Sequence, residues 1–252
     1  MILRKLLTDV VTKLPRFEVS FGPGLCGKGT TIEIAQRCCI DMNAVSISPS
    51  ALMAQHIKQG TDLAPAFIEA KEVVRQGGLV DDTPINTALA RDIERCVLSG
   101  LYIMFLDGYP RRESQVKELD ELGIPFNFYN FTFPVEEGLR RLKNVQEGND
   151  PDRLDRDDDK SEDVYRGRYL QFELESLPAY HYVLRKYPDR VVEIPWQNSP
   201  ADRARIVISH MTLREQDRKL ALSRVDAVVK QIAQEKRQKM LRQVRILKKN
   251  AA

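Results

Sequence analysis

Two short stretches of this chain have residue types and spacing that could handle a phosphorylated ligand. The first is Gly22-Pro23-Gly24-Leu25-Cys26-Gly27-Lys28-Gly29-Thr30, which fits a G-x-x-x-x-G-K phosphate loop with Gly-Thr where Ser or Thr usually follows directly. Such a loop turns successive backbone N–H groups toward phosphate oxygens. The lysine ammonium reaches the terminal phosphates, and the following helix adds the positive end of its dipole. Leu25 stands where these loops call for positive φ, which a γ-branched side chain adopts poorly. The second stretch is Leu106-Asp107-Gly108-Tyr109-Pro110-Arg111-Arg112, with Gln115 four residues after Arg111. An acid at a strand end can hold magnesium through water, near the loop lysine. The arginine can pair with a second anion, and the glutamine can hydrogen-bond a base edge. Taken alone, Asp107 could equally cap the turn that follows it.

These residues need strands to carry them. Residues 16–21 read as a short strand entering the loop, and 30–39 as the helix leaving it. Further strands fall at 45–48, 101–106, 126–133 and 191–194, with helical patterns at 51–60, 64–77 and 85–99. The continuous apolar run at 101–106 is typical of a strand buried on both faces. Strands alternating with helices predict an α/β fold, a parallel sheet flanked by helices. Glu18 lies inside a strand of a kind that is normally apolar throughout. Residues 148–163 are polar and acid-rich and read as an exposed insertion: a solvated loop, or a lid over a phosphate site. From Asp217 onward the pattern is one long helix, with Leu222, Val225, Val229 and Ile232 recurring at helical spacing.

At 252 residues, 42% hydrophobic and 30% charged, the chain can bury a full core. No apolar run reaches the length of a membrane span. Cys26, Cys38, Cys39 and Cys96 have neither a metal-ligand spacing nor a disulfide framework, and imply a reducing compartment. The net charge of +3 is unevenly spread. Residues 212–252 hold 12 Lys and Arg against 4 Asp and Glu, and the remainder 27 against 32. A basic tail on a mildly acidic body marks the tail as the docking element. Its bland reading is a solvated charged helix that packs a few leucines on the body. Residues 1–15 resemble a weak mitochondrial targeting helix, with Ile2, Leu6, Val10 and Leu14 among basic residues, although Asp9 and the lack of serines count against it.

Together the two motifs resemble those of the adenylate kinases and their nucleoside monophosphate kinase relatives, in which a D-G-[FY]-P-R signature follows a G-x-x-x-x-G-K-G-T loop. The resemblance covers about 16–211 and includes Gly60 and the helix after it, Gly78-Leu79-Val80, Phe133-Pro134 with Arg141, and Arg156-Asp157-Asp158-Asp159 in a lid at about 143–163. It implies a P-loop sheet with short helical insertions on the lid and monophosphate sides, and a long C-terminal helix added over 212–252. It further implies ATP and Mg2+ as cofactors. Gly22, Gly24, Gly27, Lys28, Gly29 and Thr30 would line the triphosphate, and Asp107 would organise magnesium through water. Arg111 would clamp the monophosphate, with Gln115 and Val80 beside its base, and Arg141 would lie against the donor base. Arg156 and either Arg166 or Arg168 would fold over the transferring phosphoryl group. No lid cysteines occur, so a zinc-bearing lid is excluded, and no N-K-x-D motif points to guanine.

The departures are as specific as the matches. The family's S-T-G-D-x-x-R segment aligns with 48–54, where the threonine has become Pro49, the acid Ala51 and the arginine Ala54. An arginine expected four residues after Arg141 is Val145, and a later one falls on Gly167 between Arg166 and Arg168. An arginine that stabilises the transferring charge accounts for ~10³–10⁵ in rate. The expectation is therefore a nucleotide-binding protein with weakened catalysis, its ATP and Mg2+ vestigial if the reaction is lost. It would serve as a structural or docking subunit of a large protein or ribonucleoprotein assembly: a mitochondrial ribosome, a respiratory complex or an axoneme. Docking would run through the basic tail, with RNA phosphates as one contact. The alternative is an active nucleoside monophosphate kinase (ATP + AMP to 2 ADP) with a localisation helix. The expected location is the mitochondrial matrix, with cytoplasm or flagellum as the alternative.

Overall fold

The computed structural model describes residues 15–75, 81–121, 123–148 and 161–250. Five short strands form one sheet: β1 (Arg16–Phe21), β2 (Ala44–Ile47), β3 (Ile103–Asp107), β4 (Phe126–Phe131) and β5 (Val191–Ile194). All pair in parallel in the order β2-β3-β1-β4-β5, the fold class expected from the sequence. The chain therefore passes from β1 to the edge strand β2, returns to β3 beside β1, and then crosses to β4 and β5 on the other side. That crossing opens a crevice at the carboxyl ends of the strands, where ligands of open α/β sheets bind.

Alternation along β1 decides what each face receives. Phe17, Val19 and Phe21 point into one core, packed by α2 (Pro49–Gln59), α4 (Asp82–Leu98), α5 (Glu113–Glu121) and α8 (Leu177–Lys186). Residues Tyr129 and Phe131 of β4 and Phe105 of β3 point into the second core, beneath α1 (Lys28–Cys38), α9 (Pro200–His210) and α10 (Glu215–Asn250). Glu18 is 1% exposed, and its carboxylate accepts bonds from Tyr129 Oη (2.6 Å) and Asn127 Nδ2 (3.0 Å). Burial pushes its pKa up to about 7, against the lowering effect of those two donors and Arg16. The polar residue in an apolar strand is thus a satisfied one.

Three further helices complete the described fold: α3 (Ala64–Arg75), α6 (Val135–Gln146) and α7 (Glu162–Gln171). A π-turned stretch, Phe172–Ser176, joins α7 to α8. The insertion read as 148–163 is shorter at its far end, because Ser161 caps α7 by accepting a bond from the Val164 N–H (3.2 Å), so the chain is helical from Glu162. Helix α1 begins at Lys28, two residues before the expected start, since Gly27 adopts a left-handed φ of 92° as its N-cap. The targeting-like residues 1–14, Val80 with its Gly78-Leu79 neighbours, and Arg156 with Asp157, Asp158 and Asp159 lie outside the described residues.

Helix α10 spans 36 residues, about 54 Å. Its first half belongs to the second core: Ala221, Val225 and Ile232 are buried, and Arg224 donates to the Cys38 carbonyl (3.2 Å) and to Asp41 (2.6 Å). Arg37 of α1 pairs with Glu235 at 2.9 Å. Beyond Ile232 every described side chain is exposed except half-buried Lys236. All four cysteines are free and buried. No described helix is long and apolar enough to cross a membrane.

Candidate functional site

The loop between β1 and α1 turns its carbonyls inward, and side chains from four helices meet them. The Lys28 ammonium donates to the carbonyls of Gly22 (2.6 Å) and Pro23 (2.7 Å). Tyr165 of α7 reaches the Gly24 carbonyl at 3.4 Å, a weak bond, and Arg141 of α6 donates to that of Leu25 at 3.1 Å. Arg203 of α9 donates to the Cys26 carbonyl at 2.7 Å. With five successive carbonyls engaged, the N–H side of the loop is the side left for a ligand. Leu25 does adopt the left-handed conformation that its position called for, at φ 63°, and it is buried. Burying a leucine is worth about 1.5–3 kcal/mol, which offsets a left-handed backbone strain of about 1–2 kcal/mol.

Three glycines are required by close approach, and at Gly22 an added Cβ would lie 2.8 Å from the Phe131 carbonyl oxygen. At Gly27 an added Cβ would lie 2.6 Å from an Arg203 nitrogen. At Gly138 of α6 it would lie 1.7 Å from Tyr165 Oη, so only glycine lets the tyrosine pass beneath the loop.

Asp107 ends β3 beside Ser20 of β1, in register with it, and accepts a hydrogen bond from Ser20 Oγ at 3.1 Å. Its other oxygen sits 3.6 Å from where a Cβ on Gly29 would stand, so the two motifs meet at the start of α1. Thr30 is half-buried on the first turn. No cluster of three metal-ligating side chains exists among the described residues. One carboxylate beside a phosphate loop suits Mg2+, which keeps most of its waters and takes other oxygens from phosphates, and does not suit a metal caged by protein.

The lid-side arginines separate clearly. Arg168 places its guanidinium over the loop, 3.8 Å from a Cβ built on Gly24, while Arg166 pairs on the surface with Glu162 at 2.7 Å. Arg168, and not Arg166, is therefore the arginine that lies over the loop. Arg141 stacks on the Phe133 ring, 4.7 Å from its centre, and is held by Glu137 at 2.9 Å. Hydrogen bonds from Arg140 and then Arg141 hold the Glu137 carboxyl down at about 2. Val145, in place of an expected arginine, is buried in the second core.

On the other side of Asp107 a cavity of about 440 Å³ opens between α2, α4 and the segment after β3. Gly108, Tyr109, Arg111 and Gln115 line it together with Ser50, Met53, Ala54 and Asp82, and Lys58 and Lys71 lie on its wall. Arg111 Nε donates to the Gly108 carbonyl at 3.1 Å. Gln115 is engaged at both ends: its Oε1 accepts from the Arg111 N–H (2.6 Å), and its Nε2 donates to Asp82 (2.7 Å). Asp82 also pairs with Arg112 (3.0 Å), which reaches Glu175 at 3.1 Å. This network fixes α4, α5 and the stretch before α8 around the cavity, and it leaves Gln115 one N–H for a base edge. Ala54 lines the cavity as a methyl group.

Sequence reasoning missed Arg203 and Tyr165. Each is more than 140 positions from its loop contact, and neither belongs to a motif.

No family model matches the chain. It is similar to the adenylate kinase of Mycolicibacterium vanbaalenii, 32% identical over 169 residues that cover 65% of this chain and 83% of that protein. The adenylate kinase of Leptospira biflexa is 29% identical over 169 residues, 64% of this chain and 81% of the relative. That of Methanothrix thermoacetophila is 32% identical over 130 residues, 49% of this chain and 56% of the relative. The chain thus spans most of the first two and about half of the third.

Proposed function

The chain belongs to the adenylate kinase family, and on that premise we propose that it holds a nucleoside triphosphate at the Gly22–Thr30 loop while transferring phosphoryl groups poorly. It is an adenylate kinase-like, nucleotide-binding P-loop protein. The finer reading is that its present role is structural: a subunit that docks on an RNA-containing assembly, such as a mitochondrial ribosome, through the distal half of α10.

The observation that carries the loss of activity is Ala54 in the cavity wall. Phosphoryl transfer asks a protein mainly for position and positive charge, so a missing arginine weighs heavily. Lys28 and Arg168 would hold the triphosphate, and Asp107 would hold Mg2+ through water. Bound Mg2+ would neutralise charge on the phosphate oxygens. Arg111 remains to take the monophosphate, without the partner that Ala54 no longer supplies.

RNA is favoured over an acidic protein by composition. Residues 236–249 carry seven Lys and Arg and no acid, and 212–252 contain no aromatic residue. Such a helix can follow phosphates but cannot stack bases.

A coupled assay of ADP formation from ATP and AMP tests the catalytic part. The expected wild-type rate is at least ~10³ below the ~1–100 s⁻¹ of working kinases, and Ala54→Arg should raise the AMP-dependent rate at least about tenfold. Turnover in the ordinary range by the wild type would overturn the reading.

A further inference from the structure

Arg203 is an arginine with charge to spare. Its side chain is 4% exposed on α9, a helix started by the Ser199 cap and Pro200. Its one hydrogen bond to a described residue runs from NH1 to the Cys26 carbonyl, and its buried Nε has no partner among them. No described carboxylate pairs with it, and its charged neighbour is another cation, Arg141. Burial first and then that like charge lower its pKa, against a smaller raising effect from the Cys26 thiol. A buried, unpaired guanidinium is costly unless an anion compensates it. It sits behind Cys26 and Gly27, at the N-terminus of α1, where Lys28 and the helix dipole already favour negative charge.

We propose that Arg203 is a positioning residue of the phosphate site: it pins the Cys26 carbonyl so that the loop N–H groups face outward, and a bound polyphosphate supplies its missing counter-charge. The inference rests on the nucleotide-binding reading above. It assigns to α9 a part in phosphate binding that neither motif contains. It also offers a reason for a loop that tolerates Leu25, since an outside cation holds the loop carbonyls in place.

The test is Arg203→Met in the full chain, with ATP and adenosine titrated by calorimetry and thermal midpoints recorded with and without ATP. ATP affinity should fall at least about tenfold while adenosine affinity stays unchanged. The midpoint without ligand should be equal to or above wild type, because an unpaired buried charge is gone, and the ATP-induced rise should shrink. Arg203→Lys should retain most of the ATP affinity. Equal ATP affinity in wild type and Arg203→Met would overturn the inference and leave nucleotide binding standing. A wild type that does not bind ATP would remove both. If Arg203→Met does not fold, Arg203→Gln takes its place. Failure of both neutral variants to fold would make the role structural and overturn the proposal.

Discussion

Glu18 shows how a single side chain makes the whole sheet sensitive to pH. Its ordinary value is 4.5, and burial raises it to about 7 in the folded chain. Between those values the folded chain keeps a proton that the unfolded chain has released. Stability therefore falls as pH climbs through that window, by about 3 kcal/mol at most once pH passes 7. Glu18→Gln removes the titration and leaves an oxygen for Tyr129 and Asn127. Denaturant unfolding should find the variant no more stable than wild type at pH 5 and more stable at pH 8, and a constant difference across that range would refute the assignment. Some residue-scale features were legible beforehand. Leu25 was marked as an oddity because positive φ is a local demand, and Ala54 and Val145 because motifs fix spacing. Arg203 was not legible, because it acts through a fold that brings residue 203 to residue 26.

At the scale of elements, α10 divides into two parts with different physics. Of the stripe Leu222, Val225, Val229 and Ile232, Val225 and Ile232 are buried in the second core and Leu222 and Val229 half-buried against it, with Ala221 buried beside them. Its distal turns expose Met240 and Leu241 among cations. Ending the chain after Glu235 should therefore leave the thermal midpoint unchanged and abolish salt-sensitive co-sedimentation with RNA. Unchanged RNA binding by the shortened chain, or none by the full one, would contradict the docking role. The amphipathic stripe was readable in the sequence. Helices α7, α8 and α9 were not, since their apolar positions are interrupted by tyrosines and charges that the tertiary fold pairs. Tyr169, for example, donates to the Phe133 carbonyl at 2.9 Å, and Tyr182 to Asp120 at 3.2 Å.

Across the whole molecule, one parallel sheet brings the two motifs together. The central strand delivers the loop, β3 delivers Asp107, and the order of the five strands places both at one crevice. Four cations, Lys28, Arg141, Arg168 and Arg203, surround the loop, and the facing cavity is lined by Lys58, Lys71, Arg111 and Arg112 with Ala54 among them. The proposal that the chain holds a triphosphate but transfers its phosphoryl group poorly rests on Ala54 in that cavity. The most direct test measures both properties on one preparation of the full chain: ATP binding by calorimetry, and ADP formation from ATP and AMP with Mg2+. The expected result is saturable ATP binding with turnover at least ~10³ below working kinases. Turnover in the ordinary range, or no ATP binding at all, would contradict it.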